Sequence, residues 1–141
     1  MPLNWIIRAI DTEIKKHKTN NPFEIAKSKN IVIRYFPLGS TLGFYMKYCR
    51  QQVITLNSDM DDHLKNFVCA HELGHAILHP NENTPFLRKN TLFSTNKLER
   101  EANEFAINLL LHDKNLEDYE TKFDILRENG IPFEMERYIY Y

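Results

Sequence analysis

Residues 67–79 read F-V-C-A-H-E-L-G-H-A-I-L-H, a stretch that contains the pattern H-E-x-x-H. Residues four apart lie on one face of an α-helix, so the imidazoles of His71 and His75 can converge on one tetrahedral metal ion. Glu72 projects about 100° away from His71 around the helix. From there it cannot be a third ligand, but it can reach a water at the metal and act as a general base.

A pair of ordinary core histidines is the alternative interpretation of this pattern, because three fixed letters also arise by chance. The surroundings favour a metal site. Phe67, Leu73, Ile77 and their neighbours make the stretch a strongly apolar helix. Two imidazoles and a carboxylate on a mostly buried helix need partners, and a metal ion supplies them.

Composition argues against several function classes. The chain of 141 residues fits one domain, 1–141, and its 43% apolar and 26% charged residues are ordinary for a soluble globular protein. A formal net charge of −1 gives no electrostatic reason to expect direct contact with nucleic acid or membrane. Two cysteines form no disulfide framework, and we find no signal peptide or long apolar run, so we expect a cytoplasmic protein.

The chain before the motif predicts two helices and a small sheet. An amphipathic helix is predicted from Pro2 to Lys18, and a short second helix begins after Asn21 with Pro22 at its first position. Gly43 indicates a bulge or a close approach of the backbone. Runs rich in β-branched and aromatic residues then predict a three-stranded antiparallel meander, with strands at residues 31–36, 42–49 and 52–57.

The motif helix is predicted to run from about Asp61 to His79, where Pro80 ends it. The polar residues 80–95 predict a surface loop. After residue 113 the chain predicts a helical C-terminus, with Gly130 as a helix cap. The predicted fold class is therefore α+β, with helices that precede the sheet and helices that follow it along the chain.

Residues 97–111 are the best source of the third protein ligand that a two-histidine site requires. Glu99 is the carboxylate that points inwards and is the predicted third ligand, with Glu101 as the alternative. Asn103 either holds a ring nitrogen of a ligand histidine or only packs between helices. Glu101 and Glu104 project from other faces, where we expect solvated carboxylates. The inward face consists of small or apolar residues with two polar ones: Glu99, Ala102, Asn103, Ala106, Leu109 and Leu110.

The segments H-E-L-G-H-A-I-L-H and L-E-R-E-A-N-E-F-A-I-N-L-L-L resemble the ImmA/IrrE family of small zinc metallopeptidases. That family pairs an H-E-x-x-H helix with a later helix patterned E-x-x-A-x-x-F-A-x-x-L-L. The resemblance implies a small zincin-like domain of the gluzincin kind, in which the motif helix packs on a second ligand-bearing helix. It also implies one zinc ion on His71, His75 and Glu99, with Glu72 as catalytic base.

The resemblance implies a partner as well. In the ImmA branch, a peptidase encoded by a prophage or mobile element cleaves a helix-turn-helix repressor and so acts as an anti-repressor. We therefore expect site-specific hydrolysis of a peptide bond in such a repressor. The alternative is a non-catalytic zinc-binding module that inactivates a repressor or partner by binding. Glu72 argues against it, because a structural zinc site gains nothing from a carboxylate placed to activate water.

The sequence also offers candidates for residues that support the metal ligands or the reaction. His79 lies one turn beyond His75, where we expect it to pack or to support a ligand rather than to bind the same ion. A tetrahedral oxyanion needs a hydrogen-bond donor beside the metal. Tyr45, Tyr48 and His112 are candidates for that donor, and the sequence does not rank them.

Overall fold

The structure is a computed structural model that describes residues 3–88, 92, 94 and 96–140. These residues form five α-helices, four strands and three short 3₁₀ helices. The α-helices are α1 (Asn4–His17), α2 (Pro22–Ser28), α3 (Lys65–Leu78), α4 (Lys97–Leu110) and α5 (Lys122–Glu128). The strands are β1 (Val32–Phe36), β2 (Thr41–Tyr48), β3 (Gln51–Asn57) and β4 (Leu87–Arg88), and the 3₁₀ helices are Asp62–Leu64, Leu116–Asp118 and Phe133–Tyr138. The predicted α+β fold class is confirmed.

The two N-terminal helices form as their sequence signals predict. Ile6 and Ile10 bury the inner face of α1 completely, since each exposes no more than 1% of its surface. The side chain of Asn21 caps α2 by accepting hydrogen bonds from the backbone N–H groups of Phe23 at 2.9 Å and Glu24 at 3.3 Å. Of the predicted first helix, Pro2 lies outside the described residues.

The sheet differs from the predicted antiparallel meander. Its strand order is β1-β3-β2-β4, and β1 runs parallel to β3 instead of pairing with β2. The fourth strand, β4, pairs antiparallel with β2 and comes from the segment that was predicted as a loop. The prediction of a three-stranded meander was therefore wrong in the number of strands and in the position of β1, whereas its antiparallel hairpin of β2 and β3 is confirmed.

Burial and one side chain explain this topology. Ile54 and Leu56 of β3 are fully buried, whereas most residues of β1 are exposed, so β3 takes the inner position and β1 the edge. The connection between β1 and β2 must then pass over the end of β3. Asn57 stabilises that crossing, because it accepts a hydrogen bond from the Leu38 N–H and donates to the carbonyls of Gly39 and Thr41. Sequence periodicity carries no signal for such a side-chain bridge.

Gly43 brings the sheet close to the motif helix. A Cβ atom at this position would lie 2.9 Å from Val68 Cγ1 of α3 and 3.0 Å from the carbonyl oxygen of Thr55. The register of the β2–β4 pair also shifts between Thr41 and Gly43. The sequence predicted either a bulge or a close approach here, and the structure contains both.

The motif helix α3 lies at the centre of the molecule and packs closely on α4. Every residue from 67 to 76 is buried. Gly74 permits the close contact, because a Cβ atom there would meet Phe105 Cβ at 3.2 Å and Ala102 Cα at 3.3 Å. The predicted motif helix, from about Asp61 to His79, agrees with α3 and its preceding 3₁₀ turn to within a residue or so at each end.

The C-terminal part of the described chain covers the outer side of α4. Met135, Tyr138 and Ile139 are buried in the same hydrophobic cluster as α3 and α4. The predicted helical C-terminus is therefore confirmed, as α5 and a 3₁₀ helix. Within the described ranges, none of the helices combines the length and apolar character needed to cross a membrane.

Candidate metal centre

Helix α3 brings His71, Glu72 and His75 together in the interior. All three residues have no exposed surface. Each offers one potential ligand atom, and these atoms lie within 4.8 Å of one another. The i and i+4 spacing of the histidines thus gives the convergence that the helix geometry predicts.

Helix α4 adds Glu99 from its first turn. The side chain of Asn96 caps this helix by accepting hydrogen bonds from the N–H groups of Leu98 at 2.9 Å and Glu99 at 3.3 Å. A carboxylate in the first turn is favoured by the helix dipole. Glu99 Oε2 lies 2.9 Å from His71 Nε2, and Glu99 Oε1 lies 3.0 Å from His75 Nε2. Both histidines therefore direct Nε2 at the same carboxylate.

Asn103 and His79 contact the other ring nitrogens of the two histidines. Asn103 Oδ1 lies 2.8 Å from His71 Nδ1, and His79 Nδ1 lies 3.2 Å from His75 Nδ1. His79 follows the last residue of α3, where the backbone leaves helical geometry with φ −133° and ψ 52°. Its ring can therefore lie beside His75 while its Nε2 reaches Glu101 Oε1 at 2.8 Å.

Glu101 and Glu104 correct the expectation of solvated carboxylates. They expose only 6% and 7% of their surface. Glu101 contacts His79, and Glu104 accepts a hydrogen bond of 2.7 Å from the Tyr140 hydroxyl. Helical azimuth alone misplaced both residues, because α4 is covered on more than the face that packs on α3. The spacing of four between His75 and His79 was the signal for an extended polar network.

Glu72 has no hydrogen-bond partner for either carboxyl oxygen among the described residues, although both oxygens are buried. His71 Nε2 likewise lacks one, since its contact with Glu99 Oε2 does not have hydrogen-bond geometry. Buried polar atoms without partners are costly unless another group satisfies them. Two imidazole nitrogens, a carboxylate contacting both and a nearby free carboxylate are a donor set that fits a divalent cation.

The two carboxylates of this centre have opposite acidities. Burial raises the pKa of Glu72 to about 8, against the lowering effect of His71. Burial would also raise the pKa of Glu99, but its contacts with His71 and His75 outweigh it and lower that pKa to about 2. Burial lowers the pKa of His75 to about 4, which favours the neutral imidazole that metal binding requires.

The three oxyanion candidates have other described contacts. The Tyr45 hydroxyl donates a hydrogen bond of 2.6 Å to the Pro80 carbonyl and accepts one from Gln52. Tyr48 is 69% exposed at the end of β2. His112 Nε2 lies 3.5 Å from Asp11 Oδ1 on the surface next to α1. None of these contacts joins a candidate to His71, Glu72 or His75.

Comparison with known proteins matches residues 26–138 to the peptidase M78 family, described as the IrrE N-terminal-like domain. The chain is 45% identical over 139 residues to "Uncharacterized immunity region protein 2" of Bacillus phage phi105, covering 95% of this chain and 88% of that protein. It is 36% identical over 111 residues to "Metallopeptidase ImmA" of Bacillus subtilis (strain 168), covering 77% of this chain and 64% of ImmA.

The family match includes the whole of both helices that build the centre. It therefore confirms the resemblance that the two sequence segments indicated. A metallopeptidase family and a buried cluster of His71, Glu72 and His75 together support a metal-dependent protease role. On these grounds the chain belongs to the ImmA/IrrE metallopeptidases, the peptidase M78 family.

Proposed function

We propose that this protein is a zinc-dependent endopeptidase that cleaves a helix-turn-helix repressor of a phage or mobile element at a specific peptide bond. The family supports peptide hydrolysis, and the name of the phage phi105 relative supports a role in an immunity region. We propose that the protein acts in the cytoplasm, where it would encounter a repressor bound to DNA. We also propose that residues 1–141 act as one domain.

The observation that carries the catalytic proposal is the state of Glu72. This carboxyl group is buried with an oxygen within 4.8 Å of a ring nitrogen of His71 and of His75, and neither of its oxygens has a hydrogen-bond partner among the described residues. A structural metal site needs no such group, and burying it without partners costs roughly 1–3 kcal/mol. That cost is understandable if the carboxyl group serves a water and a substrate amine during the reaction.

His71, His75 and Glu99 would hold a single zinc ion, because two imidazoles and one carboxylate form a typical catalytic ligand set for zinc. When bound, zinc supplies Lewis acidity, which polarises a carbonyl group and increases the acidity of water. Asn103 and His79 orient the two imidazoles through their Nδ1 atoms. The cation would also relieve the lack of a hydrogen-bond partner at His71 Nε2.

Glu72 performs the proton transfers in this proposal. It accepts a proton from the water that attacks the scissile carbonyl carbon, and it later delivers that proton to the leaving amine. Burial raises the pKa of Glu72 to about 8 in the metal-free protein, and a bound cation would lower it towards the range in which the group can both accept and return a proton near neutral pH. Burial of His71, Glu72 and His75 keeps competing bulk water away from the reacting groups.

The test is to incubate the purified protein with the helix-turn-helix regulator encoded beside its gene, with zinc and after removal of metal by a chelator. Mass spectrometry of the regulator should show two fragments from one cut, formed only with zinc. Cleavage that is unchanged after complete metal removal would contradict the zinc proposal. Release of the intact regulator from DNA, without fragments, would favour the binding module instead.

A further inference from the structure

The pair of His79 and Glu101 lies outside the four residues that the proposed reaction uses. Both side chains are buried, with 6% of each residue exposed. Their contact, 2.8 Å between His79 Nε2 and Glu101 Oε1, joins the end of α3 to α4. The other ring nitrogen of His79 lies 3.2 Å from His75 Nδ1. A continuous chain of contacts therefore runs from Glu101 through His79 to His75.

The hydrogen-bonding capacities of the three groups determine the direction of this chain. An ionised carboxylate can only accept, so His79 must donate its Nε2–H to Glu101. A neutral imidazole with its proton on Nε2 has an acceptor at Nδ1. His75 then donates its own Nδ1–H to His79. With the proton of His75 on Nδ1, its Nε2 lone pair is available to a metal ion that His75 would share with Glu99, whereas without the ion the 3.0 Å contact between these two groups needs a proton on Nε2.

We propose that Glu101 is a positioning residue, which acts through His79 to hold His75 in the tautomer that can bind the metal ion. This inference rests on the proposed function, because it assigns Glu101 a role in the same metal centre. Glu101 contacts neither the ion nor the substrate in this account. Its effect is to remove the cost of ordering His75 each time the metal binds.

His71 is held in an equivalent way by a different group. Asn103 Oδ1, 2.8 Å away, accepts a hydrogen bond from His71 Nδ1 and leaves Nε2 of that ring free. One helix, α4, thus supplies three supports at alternate positions. Glu99 contacts both Nε2 atoms, Glu101 orients His75 through His79, and Asn103 orients His71 directly.

The test measures zinc affinity by competition with a chelator, so it needs no substrate. Glu101→Ala should weaken zinc binding by about 10- to 100-fold, the usual effect of losing such an outer contact. Glu101→Gln should stay near the wild-type affinity, because its amide oxygen can accept the same hydrogen bond. The matched control is Glu104→Ala, which removes a buried carboxylate from the same helix without touching a histidine.

A double-mutant cycle separates positioning from general support of the fold. If Glu101 acts through His79, the variant with both His79→Ala and Glu101→Ala binds zinc no more weakly than His79→Ala alone. Fully additive losses in zinc affinity would overturn the inference. So would a folded Glu101→Ala variant that binds zinc as tightly as the wild type.

A spectroscopic measurement tests the same inference if the alanine variant does not fold. Nitrogen-15 spectra of the zinc-loaded wild-type protein should place the proton of His75 on Nδ1 and that of His79 on Nε2. A proton on Nδ1 of His79 would overturn the inference. Failure of the proposed function would give a different result. If the wild-type protein binds zinc with these tautomers but cleaves no regulator, the peptidase proposal is wrong and the role of Glu101 in metal binding stands.

Discussion

Glu72 and Glu99 are two buried glutamates of one centre, and they differ in their hydrogen-bond partners and in their acidity. Glu99 stands in the first turn of α4 with its oxygens 2.9 and 3.0 Å from two imidazole nitrogens, and its pKa falls to about 2. Glu72 stands in the middle of α3 without a hydrogen-bond partner among the described residues, and burial raises its pKa to about 8. Such a division is typical of sites that need one permanent anion and one group that exchanges protons.

The largest effect should come from removing the anionic partner of the pair. Glu99→Ala should lower zinc affinity by more than about 100-fold, beyond the loss of an outer contact, since a proposed ligand disappears. Chelator competition measures the affinity, and Glu104→Ala is the control on the same helix. A Glu99→Ala protein with wild-type zinc affinity would contradict the proposal that Glu99 is a metal ligand and so differs in role from Glu72.

The same substitution at the two positions should change stability in opposite directions. In metal-free protein, Glu72→Met should raise the free energy of unfolding by roughly 1–3 kcal/mol, because it removes buried oxygens that lack partners. Glu99→Met should lower it by a similar amount, because His71 and His75 lose their contact with the carboxylate. Denaturant unfolding with a chelator present measures both changes, and a shift of the same sign in both variants would refute the contrast.

A smaller effect should follow from weakening the surroundings of Glu99 without changing Glu72. Asn103→Leu deprives His71 Nδ1 of its acceptor and should cost about tenfold or somewhat more in zinc affinity. At saturating zinc the cleavage rate per bound ion should remain near the wild-type rate. Tyr138→Phe is the control, because it removes only a hydroxyl 3.4 Å from the other end of Asn103. Equal losses in both variants would show that packing alone matters here.

A gradual effect, small for each step in pH, concerns the pH dependence of stability. The pKa of Glu72 is raised from 4.5 to about 8 in the folded metal-free protein, so the folded state binds more protons than the unfolded state between those values. The pH-dependent part of the contribution of Glu72 to the free energy of unfolding is therefore most favourable below about pH 4.5 and is lost as pH rises towards 8. The free energy of unfolding of the wild type, minus that of Glu72→Gln, should fall across that window by at most about 1.4 kcal/mol per pH unit. A difference that stays constant or grows would contradict the raised pKa.

The parts of this protein that the sequence predicted well depend on local periodicity. The convergence of His71 and His75 follows from a spacing of four, and the inward direction of Glu99 follows from the small residues that share its face. Local signals also located Gly43 as a point of close approach. These inferences succeed because α3 and α4 are regular helices that pack on each other, so spacing identifies the face that each turns towards the other.

The parts that the sequence did not predict depend on contacts between distant segments. Pairing of β1 with β3 requires the Asn57 side chain to bridge the chain crossing, and no periodic pattern contains that information. Glu101 was expected in solvent because its azimuth differs from that of Glu99. Its burial follows from the break in helical geometry at His79, which turns the imidazole towards α4.

The most direct test of the division between the two glutamates is the cleavage rate of Glu72→Gln at a measured zinc content. This variant keeps the shape of the side chain and removes its ability to take a proton. We predict the zinc content of the wild type together with a cleavage rate about 10²- to 10⁴-fold lower, the usual contribution of a general base. Cleavage of the regulator at the wild-type rate by zinc-loaded Glu72→Gln would contradict the account.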